Sequence, residues 1–288
     1  IPYGCYRRTT LIRNGGGFFI SNFFKNIYLY INKYIQVMTE QTYDFPTEVL
    51  DLPSKGLVYP KDHPLASGRI TIKYMTAKEE DILSSQNLIK KGIVLDKLFE
   101  SIIVDKIDPK DIVIGDKNAI ILATRLLGYG PEYSMKFYSS VTGDSIQTVV
   151  DLSKVQTKEV DFSLFKNKNE FEFTTPLGKN KLTFKLLTHG DELAVEKDIQ
   201  ALEKLNKDGS FEITTRLRYM ITSVDGSSDI SSINKYINGM LARDSKALRD
   251  YVKSISPDMD MTFEYTHSTG EKEALPITMG VNFFWPTE

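Results

Sequence analysis

Hydrophobic positions change period several times along this chain, and each change marks an element. Residues 39–65 show no sustained period. Leu52-Pro53-Ser54-Lys55-Gly56 and Tyr59-Pro60 read as an extended, turn-rich segment, because proline removes donors and glycine permits bends. Strict alternation follows at Arg69–Tyr74, with Ile70, Ile72 and Tyr74 on one face of a strand. Thr76-x-x-Glu79 reads as a capping box opening a helix with Ile82 and Leu83. A second helix, about Val94–Val104, spaces Leu95, Leu98, Phe99 and Ile102 by turns. A third starts near Asp116, an N-cap candidate, and stops at Gly128 before Gly130-Pro131.

Period two returns on both sides of a glycine turn. Tyr133, Met135 and Phe137 lead into Ser139–Asp144, and Ile146, Thr148 and Val150 leave it, which predicts a hairpin. Strands at Phe171–Thr175 and Leu182–Leu187 follow. The second half repeats the order, with a Thr188-x-x-Asp191 helix start and helices at Phe211–Val224, Ile230–Leu241 and Ser245–Ile255. Met259, Met261, Phe263 and Tyr265 then alternate into Thr266–Glu271, and Leu275 to Ile277 leave that turn. The pattern predicts an α+β fold in which helical segments are each followed by a small antiparallel hairpin. It divides into lobes at 38–187 and 188–288, the second mainly helical with a terminal hairpin; an internal duplication is one explanation of the similar order in both.

Charge separates one end from the rest. Residues 1–37 carry five basic and no acidic residues, leaving a net −7 on the remainder. They hold the only cysteine, Cys5, a triple glycine and a run of aromatics. Asn22, Lys25, Asn26, Asn32 and Lys33 interrupt the apolar stretch, which falls short of the ~20 residues a membrane span needs. Residues 1–37 are therefore expected to be a non-native or disordered upstream extension, with the protein proper opening at Met38. A targeting segment and a basic, aromatic interaction tail are the competing readings.

The two glycine turns raise a metal question. Each has knuckle spacing, yet Ser139 and Thr142, and Thr266 and Thr269, stand where C-x-x-C-G would place thiolates. With no cysteine after Cys5, no metal and no cofactor are expected. His267, in the second turn, is read as a solvated turn residue. Asp258 and Asp260 are read as lying on the solvent face of a half-buried strand, opposite Met259 and Met261. A hydrolase using Asp258, Asp260 or His267 is the enzymatic alternative. Arg216, Arg218, Arg243, Lys246 and Arg249 alternate with Asp225, Asp229, Asp244 and Asp250, which reads as a salt-bridged helix surface and not a phosphate-binding stripe. A nucleic-acid-binding adaptor is the other alternative. Phe283, Phe284 and Trp285 near the C-terminus either fold back onto the core or anchor a partner. As candidate partner anchors they predict that truncation after Gly280 abolishes assembly without unfolding the chain.

Several separated strings carry a resemblance. They are Leu52–Pro60, Thr76–Leu83, Thr214–Gly226, Met240–Arg249, Pro257–Met261 and Asn282–Pro286. In this order, over about residues 48–288, they resemble the baseplate hub proteins of T4-like contractile-tailed bacteriophages, a family that includes hub subunits and hub-assembly chaperones. The resemblance implies a non-enzymatic protein that binds other hub and tail proteins in the host cytoplasm during assembly, or in the virion tail. It also implies C-x-x-C-G at the two turns in some relatives, from which this chain departs.

Overall fold

The computed structural model describes residues 45–206 and 209–285. The readings of residues 1–37 and of the start at Met38 lie outside them. The described residues from Pro46 onward form one compact unit. The fold is α+β, with eight α-helices and four small antiparallel sheets among the described residues.

β1 (Thr47–Asp51) pairs with β2 (Arg69–Lys73), which buries Ile70 and Ile72 as the alternation requires. The loop between them is tied to a helix 60 residues on. Ser54 donates from its N and Oγ to the Asp116 carboxylate at 2.9 and 2.7 Å, and the Tyr59 hydroxyl donates to it at 2.7 Å. Tyr59 Oη also accepts from Val113 N at 3.1 Å. Burial drives the Asp116 carboxyl pKa up, against the lowering effect of these donors, and drives the Tyr59 phenol up as well.

α1 (Ala77–Ser84) opens on the expected capping box, with Thr76 N donating to Glu79 at 2.8 Å. Ser101 Oγ and Lys73 Nζ also reach Glu79, at 2.5 and 2.9 Å. Burial alone would raise this carboxyl, but its donors outweigh burial and hold it down at about 2. After the short α2 (Gln86–Lys90), α3 (Val94–Ile102) buries Leu98, Phe99 and Ile102.

α4 (Ile114–Tyr129) begins earlier than its sequence suggests. Val113 is the N-cap, and Asp116, expected in that role, lies a turn inside and serves Ser54 and Tyr59 instead. At Gly115 the helix runs against the Pro257 backbone so closely that a β-carbon would overlap the Pro257 carbonyl.

β3 (Glu132–Tyr138) and β4 (Ser145–Asp151) form the first predicted hairpin, with Phe137 opposite Ile146. β5 (Phe171–Thr174), β6 (Lys181–Phe184) and β7 (Ile221–Val224) make the largest sheet. β7 corrects the expected helix over Phe211–Val224. α6 (Glu212–Met220) stops at Met220, and the β-branched residues that follow pair with β6.

α5 (His189–Leu205) starts on the Thr188/Asp191 capping box, and α7 (Ile230–Gly239) and α8 (Ala242–Ile255) follow near their expected places. β8 (Thr262–Thr266) and β9 (Lys272–Pro276) complete the second hairpin.

One continuous apolar cluster runs from Leu52 to Phe284, and polar bonds join early and late chain. His189 N donates to Ile112 O at 2.8 Å, Lys117 pairs with Glu192 at 2.6 Å, and Asn118 Nδ2 bonds Asp258 at 3.0 Å.

The expected salt-bridged surface is only partly present. Lys246 pairs with Asp250 at 2.5 Å, but Asp225, Asp229 and Asp244 accept backbone N–H groups of Lys181, Ser232, and Leu177 with Gly178. Short carboxylates beside tight turns are better placed to satisfy amides than to reach a flexible cation. Among the described residues no helix is long and apolar enough to cross a membrane.

Candidate functional site

The two glycine turns meet. They lie about 130 residues apart in sequence, and a small polar cluster joins them at the tips of the two hairpins. In the first turn Ser139 N donates to Asp144 O and Gly143 N to Ser139 O, at 2.9 and 3.0 Å. In the second, His267 N donates to Glu271 O and Gly270 N to His267 O, at 2.8 and 2.9 Å. Gly143 and Gly270 have φ of 75° and 85°, the left-handed conformation that explains glycine at both places.

Ser139 Oγ accepts from Val141 N and Thr142 N at 3.0 and 3.1 Å, closing the turn upon itself. It also donates to Glu273 Oε2 at 3.1 Å across the gap. Glu273 accepts further from Ser140 N at 2.8 Å, from Ser140 Oγ at 2.5 Å and from His267 Nε2 at 3.0 Å. These donors, Ser140 foremost, hold the Glu273 carboxyl down at about 2.

Of the four degenerate knuckle positions, only Ser139 is buried in this cluster. Thr142, Thr266 and Thr269 are exposed. Among the described residues no group of three or more His, Cys, Asp or Glu side chains is placed to hold a metal ion.

His267 is not the solvated residue its turn suggests. It is 5% exposed, because the facing hairpin covers it and the Tyr265 ring meets it edge-on at 4.9 Å. Ser139, His267 and Glu273 have the composition of a hydrolytic triad but not its geometry. A triad places the acid on Nδ1 and the nucleophile on Nε2. Here Glu273 lies 3.0 Å and Ser139 3.5 Å from the same Nε2, and Ser139 donates directly to the acid. Asp258 and Asp260 are engaged elsewhere, with Asn118 Nδ2 and Met259 N on the first and Thr262 Oγ1 on the second. Asp258 is half-buried and Asp260 exposed.

Below the tips the hairpins stack through aromatic rings. Phe137 meets Tyr265 at 5.3 Å and Phe263 at 6.3 Å, both near perpendicular, and Tyr133 meets Phe283 at 5.2 Å. Arg125 of α4 closes the base. Fully buried, it donates from Nε to Phe283 O at 3.1 Å, from Nη1 to Gly130 O at 2.9 Å and from Nη2 to Glu132 O at 2.9 Å. A planar guanidinium thus fixes the end of α4, the start of β3 and the C-terminal turn at once.

That arrangement divides the three C-terminal aromatics. Phe283 and Phe284 are 1% and 0% exposed and fold back onto the chain's own core. Trp285 is half-buried and lies 6.3 Å from the Tyr129 ring. Sequence reasoning missed Arg125 and Glu273. The signal for Arg125 was a charge one turn beyond Ile121, on the buried side of an apolar helix.

This geometry defines an α+β protein in which the polar residues of the two glycine turns hold those turns together. The chain belongs to the T4 bacteriophage base plate protein family, whose model matches residues 48–285. No curated protein and no solved structure matches it. Membership gives the chain a baseplate-related structural or assembly role.

Proposed function

We propose that the chain is a hub subunit or hub-assembly factor of a phage baseplate, acting by protein–protein binding and not by catalysis. The observation that carries this reading is the shared Nε2 of His267. The one Ser–His–Glu cluster found among the described residues has both partners on a single ring nitrogen, which suits a clamp and not proton relay. Family membership over residues 48–285 supports tail proteins as the partners. The segments 38–187 and 188–288 would then act as interlocked halves of one body, with the clamp keeping the hairpins in fixed register.

Surfaces that suit binding lie outside the core. Tyr138 is 78% and Val149 61% exposed on the outer side of the first hairpin, and Trp285 is half-buried beside Tyr129. Trp285, with Phe283 and Phe284 as its support, keeps a place among the proposed contacts. Binding takes place in the host cytoplasm as the tail assembles and involves no nucleic acid.

Mass spectrometry of purified tails and of assembly intermediates tests the proposal. Peptides of this chain in mature tails identify a permanent subunit, and peptides only in intermediates identify an assembly factor. Absence from both refutes the proposal.

A further inference from the structure

A cleft of about 460 Å³ lies between α6 and α8, within the size range of sites that take up small ligands or several side chains. Its walls follow from helical spacing. Ile213, Arg216, Leu217 and Met220 form one stripe of α6, and Arg249, Val252 and Lys253 form one of α8. Leu187, from the segment between β6 and α5, completes an apolar floor. Ile213 is 47% exposed on this floor, an apolar side chain left facing solvent at the mouth of an apolar cleft.

The rim is unbalanced in charge. Arg216 is engaged by Glu212 at 3.2 Å and Glu192 at 3.6 Å. Glu212, on the α6 side of the cleft, is held by Arg216. On the α8 side Arg249 and Lys253 are exposed and border the cleft with no ion pair among the described residues. The nearby Asp250 is paired with Lys246 at 2.5 Å.

We infer that this cleft receives a segment of another baseplate protein, one that inserts apolar side chains and sets Asp or Glu against Arg249 and Lys253. Apolar side chains in the cleft supply affinity, and the facing carboxylates supply register and partner choice. The chain's own residues 1–37, with five basic and no acidic residues, carry the wrong charge for this rim. The inference rests on the binding role proposed above and names the surface that performs it.

The test is co-expression of the full chain with the tail proteins of its phage, affinity purification, and zero-length carbodiimide coupling, which joins an amine to a carboxylate in contact. Lys253 should couple to an Asp or Glu of a co-purifying tail protein. The double variant R249E/K253E should weaken that association roughly tenfold or more while melting like the wild type. Ile213→Asp should weaken it too, by disrupting the floor. Undiminished association in the double variant overturns the inference but leaves the binding role standing. Coupling of Lys253 to a second copy of this chain overturns the choice of partner. A wild-type chain that retrieves no tail protein overturns the binding role and this inference together.

Discussion

Phe284→Ala is the sharpest test of where the C-terminal aromatics belong. The side chain is 0% exposed and lies 6.1 Å from the Phe283 ring, edge to face. Phenylalanine-to-alanine changes in packed cores cost about 3–5 kcal/mol. Area gives a similar figure, since a buried aromatic hides about 150–250 Å², or roughly 4–6 kcal/mol at about 25 cal/mol per Å². At about 2–4 °C per kcal/mol for a unit of this size, the melting midpoint should fall by about 6–20 °C. Truncation after Gly280 removes both phenylalanines and the carbonyl that Arg125 Nε donates to. Two such losses and a charged hydrogen bond sum to roughly 8–13 kcal/mol, as much as the whole stability of an ordinary domain, so the truncated chain should not fold. Thermal and urea melts followed by circular dichroism read both outcomes. A Phe284→Ala protein that melts like the wild type yet loses a tail partner would refute the core placement and restore the aromatics as contacts.

Further outcomes follow from the buried polar groups and one glycine. Glu79 and Glu273 sit at about 2 against 4.5 for a free carboxyl, so as pH falls the unfolded chain takes up protons first. Their stabilisation is complete above about pH 5, declines from about 4.5 and is gone near 2; Glu79→Gln should flatten this acid loss in melts across that window, and an unchanged slope would sink the assignment. Arg125→Met leaves three carbonyls without their donor and should cost at least about 3 kcal/mol in urea titration; a loss under about 1 kcal/mol contradicts the clamp. Gly115→Ala would ordinarily steady a helix by up to about 1 kcal/mol, but against the Pro257 backbone it should destabilise by about 1–3 kcal/mol, so a raised melting point refutes the close approach.

Elements with a strong period were legible before the structure. The two capping boxes, the stripe of α3 and both glycine hairpins are local features, and local sequence suffices for them. β1 escaped because its face to the core is thin: Val49 is 56% exposed and only Leu50 is half-buried, so no alternation shows. β7 escaped because its residues continue the apolar spacing of α6, and only pairing with β6 decides their conformation. The polar cluster was half legible. Its glycines announced the turns, but His267 is buried by a hairpin met through Ser139, 128 residues away, and no window of sequence contains both. Arg125 reads as a surface charge until the carbonyl of Phe283 is brought to it.

That last bond has a temporal consequence. Arg125 and Phe283 lie 158 residues apart, an interval that takes about 8–30 s to synthesise at 5–20 residues per second. Throughout it the guanidinium lacks the Phe283 carbonyl, one of its three acceptors. The order of synthesis thus sets the order of closure. The base of the stacked hairpins can therefore close only after the last aromatics are made.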